Sequence, residues 1–299
     1  MCRHLPPTRP LSMPAAVRDS RLANLGSGTE QEVAVSAQDF DRVRRLIYEH
    51  AGINLHAGKQ AMVYSRLSRR LRETGHRTFS DYLVWLQQGH DTAARSEWQQ
   101  FVNGLTTNLT SFFRESHHFE CLAQDLHERQ GRDLRIWCAA ASTGEEPYSI
   151  AMVVDETLGA QARANIVASD IDTTVLATAE RGIYDADARG LSPARLQRHF
   201  LRGKGSNEGR IRVRPTLAQR VRFRALNLMD PRWDFDDAFD IVFCRNVMIY
   251  FDAATQARVL ERLHAALQPD GLLYVGHSEN FTQAREWFRL RGKTVYAKV

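Results

Sequence analysis

The sequence is poor in cysteine, and its cysteines lack the spacing of a metal or redox site. Its 299 residues contain four of them: Cys2, Cys121, Cys138 and Cys244. No two form a C-x-x-C pair, so a reduced, cytoplasmic protein is expected. The eleven histidines include no H-E-x-x-H motif, and the neighbours His117 and His118 cannot share a helix face. We therefore expect no metal site.

Long apolar runs are also missing. None approaches the roughly 20 residues that cross a bilayer, so membrane insertion is not expected. Residues 1–35 carry scattered Arg, Pro, Gly and Ser without an apolar core, which is unlike a secretory signal and predicts a disordered tail. The formal net charge of +5 and the isoelectric point near 9.2 favour an acidic partner, which could be nucleic acid, an anionic membrane or an acidic protein.

The glycine-rich fingerprint of dinucleotide sites is a third absence. The apolar run Leu134–Cys138 leads into AAASTGEEPYSI, a small-residue turn and helix start typical of the nucleotide-binding crossover of a doubly wound α/β sheet. This turn lacks G-x-G-x-x-G, and it carries Glu145 and Glu146 where a pyrophosphate needs bare amides. Acids there suit a cationic ligand with hydroxyl groups. S-adenosyl-L-methionine has a sulfonium, an ammonium and a ribose, so the pattern indicates methyl transfer.

Hydrophobic periodicity predicts a small all-helical domain over residues 36–115. Ser36 and Asp39 resemble the ends of a capping box, and Gly52 stops the helical pattern that follows. A second helix is predicted over about 59–73, ended by Gly75. Its apolar stripe adjoins a face crowded with basic side chains: Lys59, Arg66, Arg69 and Arg70. Two further helical patterns lie near residues 80–87 and 95–105.

Residues 116–299 alternate strand and helix patterns, which predicts an α/β class with a Rossmann-like methyltransferase sheet. Strand-like runs lie at 134–139, 165–169, 221–225, 239–244 and 271–275, and 288–299 reads as a closing hairpin. An insertion at about 190–220 is predicted to form an antiparallel β-subdomain, with a short helix from Pro193 and a hairpin near 199–214. Its exposed edge could accept a peptide as an added strand, or it could be a plain surface hairpin.

Polar residues follow successive predicted strands, at the edge where open α/β sheets bind ligands. Asp170 suits ribose hydroxyls, whereas Asp172 is predicted to cap the next helix. Asn227 could face an adenine edge, and Arg245 with Asn246 would face the substrate. A further polar run, TTNLTSFFRE from Thr106 to Glu115, joins the two domains. Alone it would read as a capped linker with Phe112 and Phe113 packed underneath.

Five motifs together resemble the chemotaxis receptor methyltransferases of the CheR type. They are TTNLTSFFRE, AAASTGEEPYSIA, ASDID, FCRNVMIYF and PDGLLYVGHSEN, and the resemblance spans about residues 36–299. It implies transfer of a methyl group from S-adenosyl-L-methionine to receptor glutamates, which gives glutamate methyl esters and S-adenosyl-L-homocysteine. The implied partners are the cytoplasmic domains of methyl-accepting chemotaxis receptors, with their C-terminal peptide as a candidate ligand of the hairpin near 199–214.

The resemblance also implies site residues. The implied cofactor contacts are Asn108, Thr110, Arg114, Glu146, Asp170, Asn227, Leu228, Arg245 and Asn246. Arg114 and Tyr250 are the implied catalytic residues. The implied receptor-binding residues lie on the basic helix: Lys59, Arg66, Arg69, Arg70 and Arg72. Because a glutamate carboxylate is ionised at neutral pH, with a reference pKa of about 4.3, no general base is required.

Three alternative functions fit the sequence less well than receptor methylation. A nicotinamide dehydrogenase is disfavoured by the missing glycine fingerprint. A nucleic-acid methyltransferase is the stronger rival because the chain is basic, but Asp230-Pro231-Arg232-Trp233 lacks the second proline of an adenine-methylating loop and precedes the fourth strand. A binding module without catalysis is disfavoured because every implied cofactor position holds a competent residue.

Overall fold

Four helices form the first part of the fold. The computed structural model describes residues 36–281 and 284–299. The helices are α1 (Ala37–Ala51), α2 (Gln60–Thr74), α3 (Phe79–Gln88) and α4 (Thr92–Leu105). The predicted capping box is confirmed, because the Ser36 hydroxyl accepts the Asp39 amide at 3.0 Å and the Asp39 carboxylate accepts the Ser36 amide at 3.3 Å. Gly52 ends α1 in the left-handed region, with a φ of 69°.

A buried acid lies inside the apolar core of these helices. Glu97 on α4 is only 4% exposed. Its carboxylate accepts hydrogen bonds from the Tyr82 hydroxyl and from Nε of Arg70, both at 2.8 Å. Arg70 also pairs with Glu73 on its own helix. Since a buried charge must be paired, Arg70 is committed to the interior of the helical segment.

Seven strands form the main sheet, as the sequence predicts. They are β1 (Leu134–Cys138), β2 (Ala164–Asp170), β6 (Val221–Ala225), β7 (Phe239–Cys244), β8 (Leu267–Val275), β9 (Phe288–Gly292) and β10 (Val295–Lys298). Their order is β6-β2-β1-β7-β8-β10-β9. The first five are parallel, and β10 runs antiparallel to both neighbours. Every residue of β7 is buried, as expected for a central parallel strand.

Helices cover the main sheet between its strands. They are α5 (His117–Glu128), α6 (Glu145–Leu158), α7 (Thr173–Arg181) and α10 (Ala253–Ala266). Helix α5 was not predicted from the hydrophobic pattern of the sequence. This helix has no side-chain cap, and the residue before it, Ser116, is already in the helical region, so the usual start signal is missing.

A smaller sheet interrupts the main one. Its strands are β3 (Ile183–Asp185), β4 (Phe200–Arg202) and β5 (Arg210–Val213), in the antiparallel order β3-β5-β4. Two short helices flank the last two strands: α8 (Pro193–His199) and α9 (Pro215–Ala218). The predicted hairpin and the helix at Pro193 are confirmed. The third strand, β3, begins before the predicted insertion.

The helical segment is hydrogen-bonded to the loops of the main sheet. The Asn54 amide donates to the Tyr250 carbonyl at 2.8 Å, and the Tyr48 hydroxyl donates to the Asp252 carboxylate at 2.7 Å. Gln99 on α4 donates to the Ile171 carbonyl at 2.8 Å. All described residues belong to one compact unit, so the division at residue 115 stays a prediction. The predicted tail, 1–35, lies outside the described residues. No described helix has the length and hydropathy of a membrane span.

We predict that Arg70 and Arg69 differ sharply in their contribution to stability. Arg70→Ala leaves Glu97 buried without its counterion, so the free energy of unfolding should fall by about 3 kcal/mol. Arg69 is 77% exposed, and its one ion pair with a described residue is to Glu73, so Arg69→Ala should cost less than about 0.5 kcal/mol. Urea denaturation of the full chain measures both. Equal losses in the two variants would contradict the interior role of Arg70.

Candidate functional site

A cavity of about 340 Å³ opens at the carboxyl ends of four parallel strands, β1, β2, β6 and β7. Residues 51–62 and 105–110 of the helical part close it from the other side. The volume is in the range of small-molecule sites, and the location is where open α/β sheets bind ligands. The structure brings ten sequence-predicted residues together in its lining: Asn108, Thr110, Arg114, Glu146, Asp170, Asn227, Leu228, Arg245, Asn246 and Tyr250.

Asp170 ends β2 with its carboxylate buried at the cavity. One oxygen accepts the Ser142 amide at 2.8 Å and the other accepts the Asp172 amide at 2.9 Å. Burial raises the pKa of Asp170 to about 6, although the two amides oppose the shift. Each carboxylate oxygen has further lone pairs, so the group can still accept hydroxyl donors from a ligand.

Asp172 caps α7, as the sequence predicts, and also anchors the junction segment, residues 106–115. One oxygen accepts the Thr174 amide at 2.9 Å, and the other accepts the Asn108 side-chain amide at 2.7 Å and the Thr106 hydroxyl at 2.8 Å. Asn108 is therefore fixed in the lining through Asp172. The same segment packs underneath as expected, since Phe112 and Phe113 are both buried.

Arg245 lies at the end of β7 with its side chain fully buried. It forms ion pairs with Glu146 on α6 and with Glu115, whose Oε2 lies 3.1 Å from Nη2. Nη2 also donates to the Arg114 carbonyl at 2.7 Å. Burial would lower the pKa of Arg245, but the carboxylates of Glu146 and Glu115 raise it above its ordinary value. Its Nε has no hydrogen-bond partner among the described residues.

The side chain of Asn227 lies in the cavity lining with part of its hydrogen-bonding capacity already used. Its amide nitrogen donates to the His50 carbonyl at 2.6 Å, and its oxygen accepts the Met229 amide at 2.9 Å. These bonds tie the loop after β6 to the end of α1. The amide group is therefore already engaged, and only part of its acceptor capacity is left for an adenine edge.

Glu279 is a residue of the site that the sequence reasoning missed. It is 3% exposed, and its carboxylate accepts the amides of Gly276 at 2.6 Å, Met248 at 2.8 Å and Asn246 at 3.0 Å. Burial raises its pKa, against the effect of those amides. A Cβ at Gly276 would lie 2.9 Å from the same carboxylate. The sequence carries a signal for this role, because Gly276 and Glu279 lie in the loop directly after the predicted strand 271–275.

The two predicted catalytic residues, Arg114 and Tyr250, line the cavity, and each keeps a hydrogen-bond donor without a partner among the described residues. Arg114 is half-buried, and its Nη1 donates to the Leu109 carbonyl at 2.8 Å. Its other guanidinium nitrogens have no partner among the described residues. Tyr250 lies in a 3₁₀ turn, Met248–Tyr250, and its hydroxyl likewise has no described partner.

The predicted receptor-binding residues fall into different environments. Lys59 is exposed and lines the cavity, and Arg69 and Arg72 are exposed on α2. Arg66 is half-buried and donates to the Thr106 carbonyl at 2.6 Å. Arg70 is the counterion of buried Glu97, so its inclusion in a free basic face must be corrected.

Within residues 36–281 and 284–299, one group of potential metal ligands occurs, and it lies beside the cavity. Ligand atoms of Glu115, His117 and His118 lie within 4.8 Å of one another. The guanidinium of Arg245 contacts the same carboxylate and opposes a cation. Burial and Arg245 also lower the pKa of His118 to about 4, so its ring is neutral at physiological pH. The cluster is best described as part of the Arg245 ion-pair network.

Comparison with known proteins identifies both parts of the chain. Residues 38–106 match the family model "CheR methyltransferase, all-alpha domain", and residues 108–297 match "CheR methyltransferase, SAM binding domain". The sequence is 52% identical over 268 residues to a chemotaxis protein methyltransferase of Klebsiella aerogenes, covering 89% of this chain and 91% of that relative.

Two further relatives are similarly close. The Escherichia coli chemotaxis protein methyltransferase is 51% identical over 269 residues, covering 89% of this chain and 93% of the relative. Chemotaxis protein methyltransferase 2 of Pseudomonas aeruginosa is 50% identical over 272 residues, covering 89% and 95%.

We predict that S-adenosylmethionine binding weakens below about pH 6. Protonation of Asp170 removes acceptors for ribose hydroxyls, and the dissociation constant should rise by up to about tenfold per pH unit. The pKa of Asp170 is higher in the folded protein than in the unfolded chain, so ionising this group lowers the free energy of unfolding. Acidification through pH 6 therefore does not destabilise the fold through Asp170. Calorimetry between about pH 5 and 7 tests this. Asp170→Asn should bind weakly with a flat profile, and a wild-type curve equally flat would refute the assignment.

We predict that Glu279→Gln lowers the free energy of unfolding by about 1–3 kcal/mol, because a buried amide group cannot accept all the hydrogen bonds that the carboxylate accepts. The matched control is Glu261→Gln on the exposed face of α10, which should change stability by less than about 0.5 kcal/mol. Chemical denaturation compares the two variants, and a neutral Glu279→Gln would show that the loop amides do not need this acceptor.

Proposed function

This chain belongs to the CheR methyltransferase family, and we propose that it methylates glutamate side chains of methyl-accepting chemotaxis receptors. S-adenosylmethionine is the methyl donor, and the products are a glutamate methyl ester and S-adenosylhomocysteine. One observation carries the proposal: Arg114 and Tyr250 line the same cavity as Asp170, and both keep unengaged donors. The proposed setting is the cytoplasm, which agrees with free thiols at Cys121, Cys138 and Cys244.

The lining residues fit S-adenosylmethionine in charge and hydrogen-bonding capacity. The buried carboxylate of Asp170 retains acceptors for ribose hydroxyls, which is the role we propose for it. Of the two carboxylates in the described lining, Glu146 is already paired with Arg245, so Asp170 is the one left to favour a cationic ligand. Arg114 retains guanidinium nitrogens without a described partner, and these suit the ligand's carboxylate. Asn108, Thr110, Leu228 and Asn246 complete the proposed contact set.

The mechanism needs positioning more than proton transfer. When bound, the cofactor supplies an electrophilic methyl group on a sulfonium. We propose that the Tyr250 hydroxyl and the free guanidinium nitrogens of Arg114 orient the incoming glutamate carboxylate, which is already ionised. The Arg114 carbonyl is fixed by Arg245, which limits the freedom of this segment. Charge disappears as the ester forms, so a cavity that residues 51–62 partly shield from bulk water favours the reaction.

For the receptor contact, we propose the exposed part of the basic helix. The candidate contacts are the exposed side chains of Lys59, Arg69 and Arg72, together with the half-exposed guanidinium of Arg66. Arg70 is not among them, because it is the counterion of buried Glu97. A second proposed contact is the edge strand β4, on which Leu201 is 42% exposed. A receptor C-terminal peptide would add to the small sheet by pairing with this strand.

The direct test is methyl transfer from radiolabelled S-adenosylmethionine to purified receptor cytoplasmic domains, with and without their C-terminal peptides. The proposal expects label on the receptor that is released as methanol by mild base, as an ester requires. Parallel reactions with DNA and RNA should stay unlabelled. Label on nucleic acid, or base-stable label on the receptor, would overturn the proposed activity.

We predict that Tyr250→Phe and Arg114→Ala lower kcat by at least about tenfold while KM for the receptor changes little, because orienting contacts act mainly in the transition state. Tyr64→Phe is the matched control, since Tyr64 lies outside the cavity lining and its hydroxyl has no partner among the described residues. Steady-state kinetics separate the two parameters. Unchanged kcat in both site variants would remove these residues from catalysis.

We predict that charge reversal at Lys59, Arg69 and Arg72 weakens receptor methylation and reduces its salt dependence. Exposed charges are screened over about 8 Å at physiological ionic strength, so the wild-type rate should fall as salt rises. Cofactor affinity should stay the same for the Arg69→Glu, Arg72→Glu double variant, whose residues lie outside the cavity lining. Reversal of Arg289, exposed on β9, serves as the control. Normal methylation by the double variant across a salt series would leave α2 as a solvated surface only.

A further inference from the structure

Two large apolar side chains at the cavity are unusually exposed. Leu109 is 80% exposed and Ile249 is 53% exposed, yet both contribute to the cavity lining. Leu109 lies in the segment that carries Thr110 and Arg114, and Ile249 directly precedes Tyr250. We call Leu109 and Ile249 the apolar rim. Exposed apolar side chains grouped around a site commonly mark a surface that a partner covers.

The backbone of each rim residue is hydrogen-bonded to a charged side chain. The Leu109 carbonyl accepts Nη1 of Arg114 at 2.8 Å. The Ile249 amide is hydrogen-bonded to the buried carboxylate of Glu279, which also holds the Met248 amide at 2.8 Å. The rim is therefore attached to the same groups that shape the site. A surface that is ordered before binding loses less conformational entropy when it is covered.

The chemistry of the substrate decides what lies over the rim. This step rests on the proposed function. A glutamate side chain has only two methylene groups between its Cα and its carboxylate, so a glutamate that reaches Arg114 and Tyr250 brings its backbone close to the mouth of the cavity. The proposed substrate segment of the receptor is a helix, so the neighbours of the target glutamate on the same face, three and four residues away, then lie across the rim. Lys59 and His56, both exposed and in the same lining, add positive or polar surface beside it.

We propose that the apolar rim is a specificity surface for the receptor helix, and that it contacts apolar side chains one helical turn from the target glutamate. The occupant is thus a receptor helix that is acidic, to match the basic helix face, and that carries apolar residues one turn from each methylated position. The basic helix face would contribute long-range attraction, whereas the rim selects which glutamate enters the cavity. Contact of this kind acts on receptor binding and not on the cofactor.

The test uses Leu109→Ser and Ile249→Ser, with Leu290→Ser as the matched control. Leu290 is 55% exposed on β9 and does not line the cavity. We expect each rim variant to raise KM for the receptor cytoplasmic domain by about fivefold to twentyfold, as loss of a half-buried leucine-sized contact implies. The dissociation constant for S-adenosylmethionine and kcat at saturating receptor should match wild type, and the control should match in all three.

Two results with the rim variants would overturn the proposal. Unchanged KM in both rim variants would show that the rim is not covered by the receptor. Weakened cofactor binding would place the rim against the cofactor instead. Folding is checked independently of the cofactor by circular dichroism and thermal denaturation, and Leu109→Thr and Ile249→Thr, which keep part of the side-chain volume, repeat the measurement should a serine variant fail to fold. If wild type transfers no methyl group to receptor, the proposed function fails first, and that result is distinct from a normal wild-type reaction with normal rim variants.

A receptor-side measurement completes the test. Replacing the apolar residue one turn from a methylated glutamate by serine should raise KM for the wild-type enzyme by a similar factor. The same receptor change should have little additional effect on Leu109→Ser or Ile249→Ser, since the contact is already lost. Full additivity of the receptor and enzyme changes with both rim variants would refute a direct contact.

Discussion

The ion pairs of Arg245 are the interaction on which the site depends. Its buried guanidinium meets carboxylates from the start of α6 and from the junction segment, Glu146 and Glu115, and it also holds the Arg114 carbonyl. Desolvating these charges costs several kcal/mol per ion, and the cost is offset only when every partner is in place. Three segments far apart in sequence must therefore converge on one point. Their convergence forms one wall of the cavity and fixes the backbone of the segment that carries Arg114.

Backbone strain is concentrated around the same cavity. Phe113, Glu115, Ser142 and Asn246 all have φ between 48° and 58°, in the left-handed region, although none is glycine. Such conformations cost about 1–3 kcal/mol each and persist only where the surroundings impose them. Here the surroundings are visible, since the Phe113 amide bonds Ser149 at 3.0 Å, Ser142 bonds Asp170, and Asn246 bonds Glu279. The buried carboxylates thus hold the turns that deliver the site's side chains.

Local signals in the sequence predicted most of the fold and the polar residues that follow the parallel strands. The resemblance to CheR methyltransferases supplied the other predicted residues of the cavity lining: Asn108, Thr110, Arg114, Leu228 and Tyr250. The capping box at Ser36 and the cap at Asp172 depend on residues three positions apart or fewer, and polar residues after parallel strands meet because the strand ends share one edge. Long-range partners could not be predicted in this way. Arg70 looks like one more exposed arginine until Glu97 is placed beside it, and the engagement of Asn227 depends on His50, 177 residues away in sequence. Helix α5 was missed because it has no side-chain cap.

The helical part of the chain completes the site as well as carrying the basic helix, because residues 51–62 and 105–110 form a wall of the cavity. The central claim is that this cavity, between the helical wall and the ends of the strands, holds the cofactor. A crystal structure of the protein with S-adenosylhomocysteine tests it most directly. The account predicts ribose hydroxyls within hydrogen-bonding distance of the Asp170 carboxylate and the amino-acid end of the ligand near Arg114. Ligand density outside this cavity, or a ribose without contact to Asp170, would contradict it.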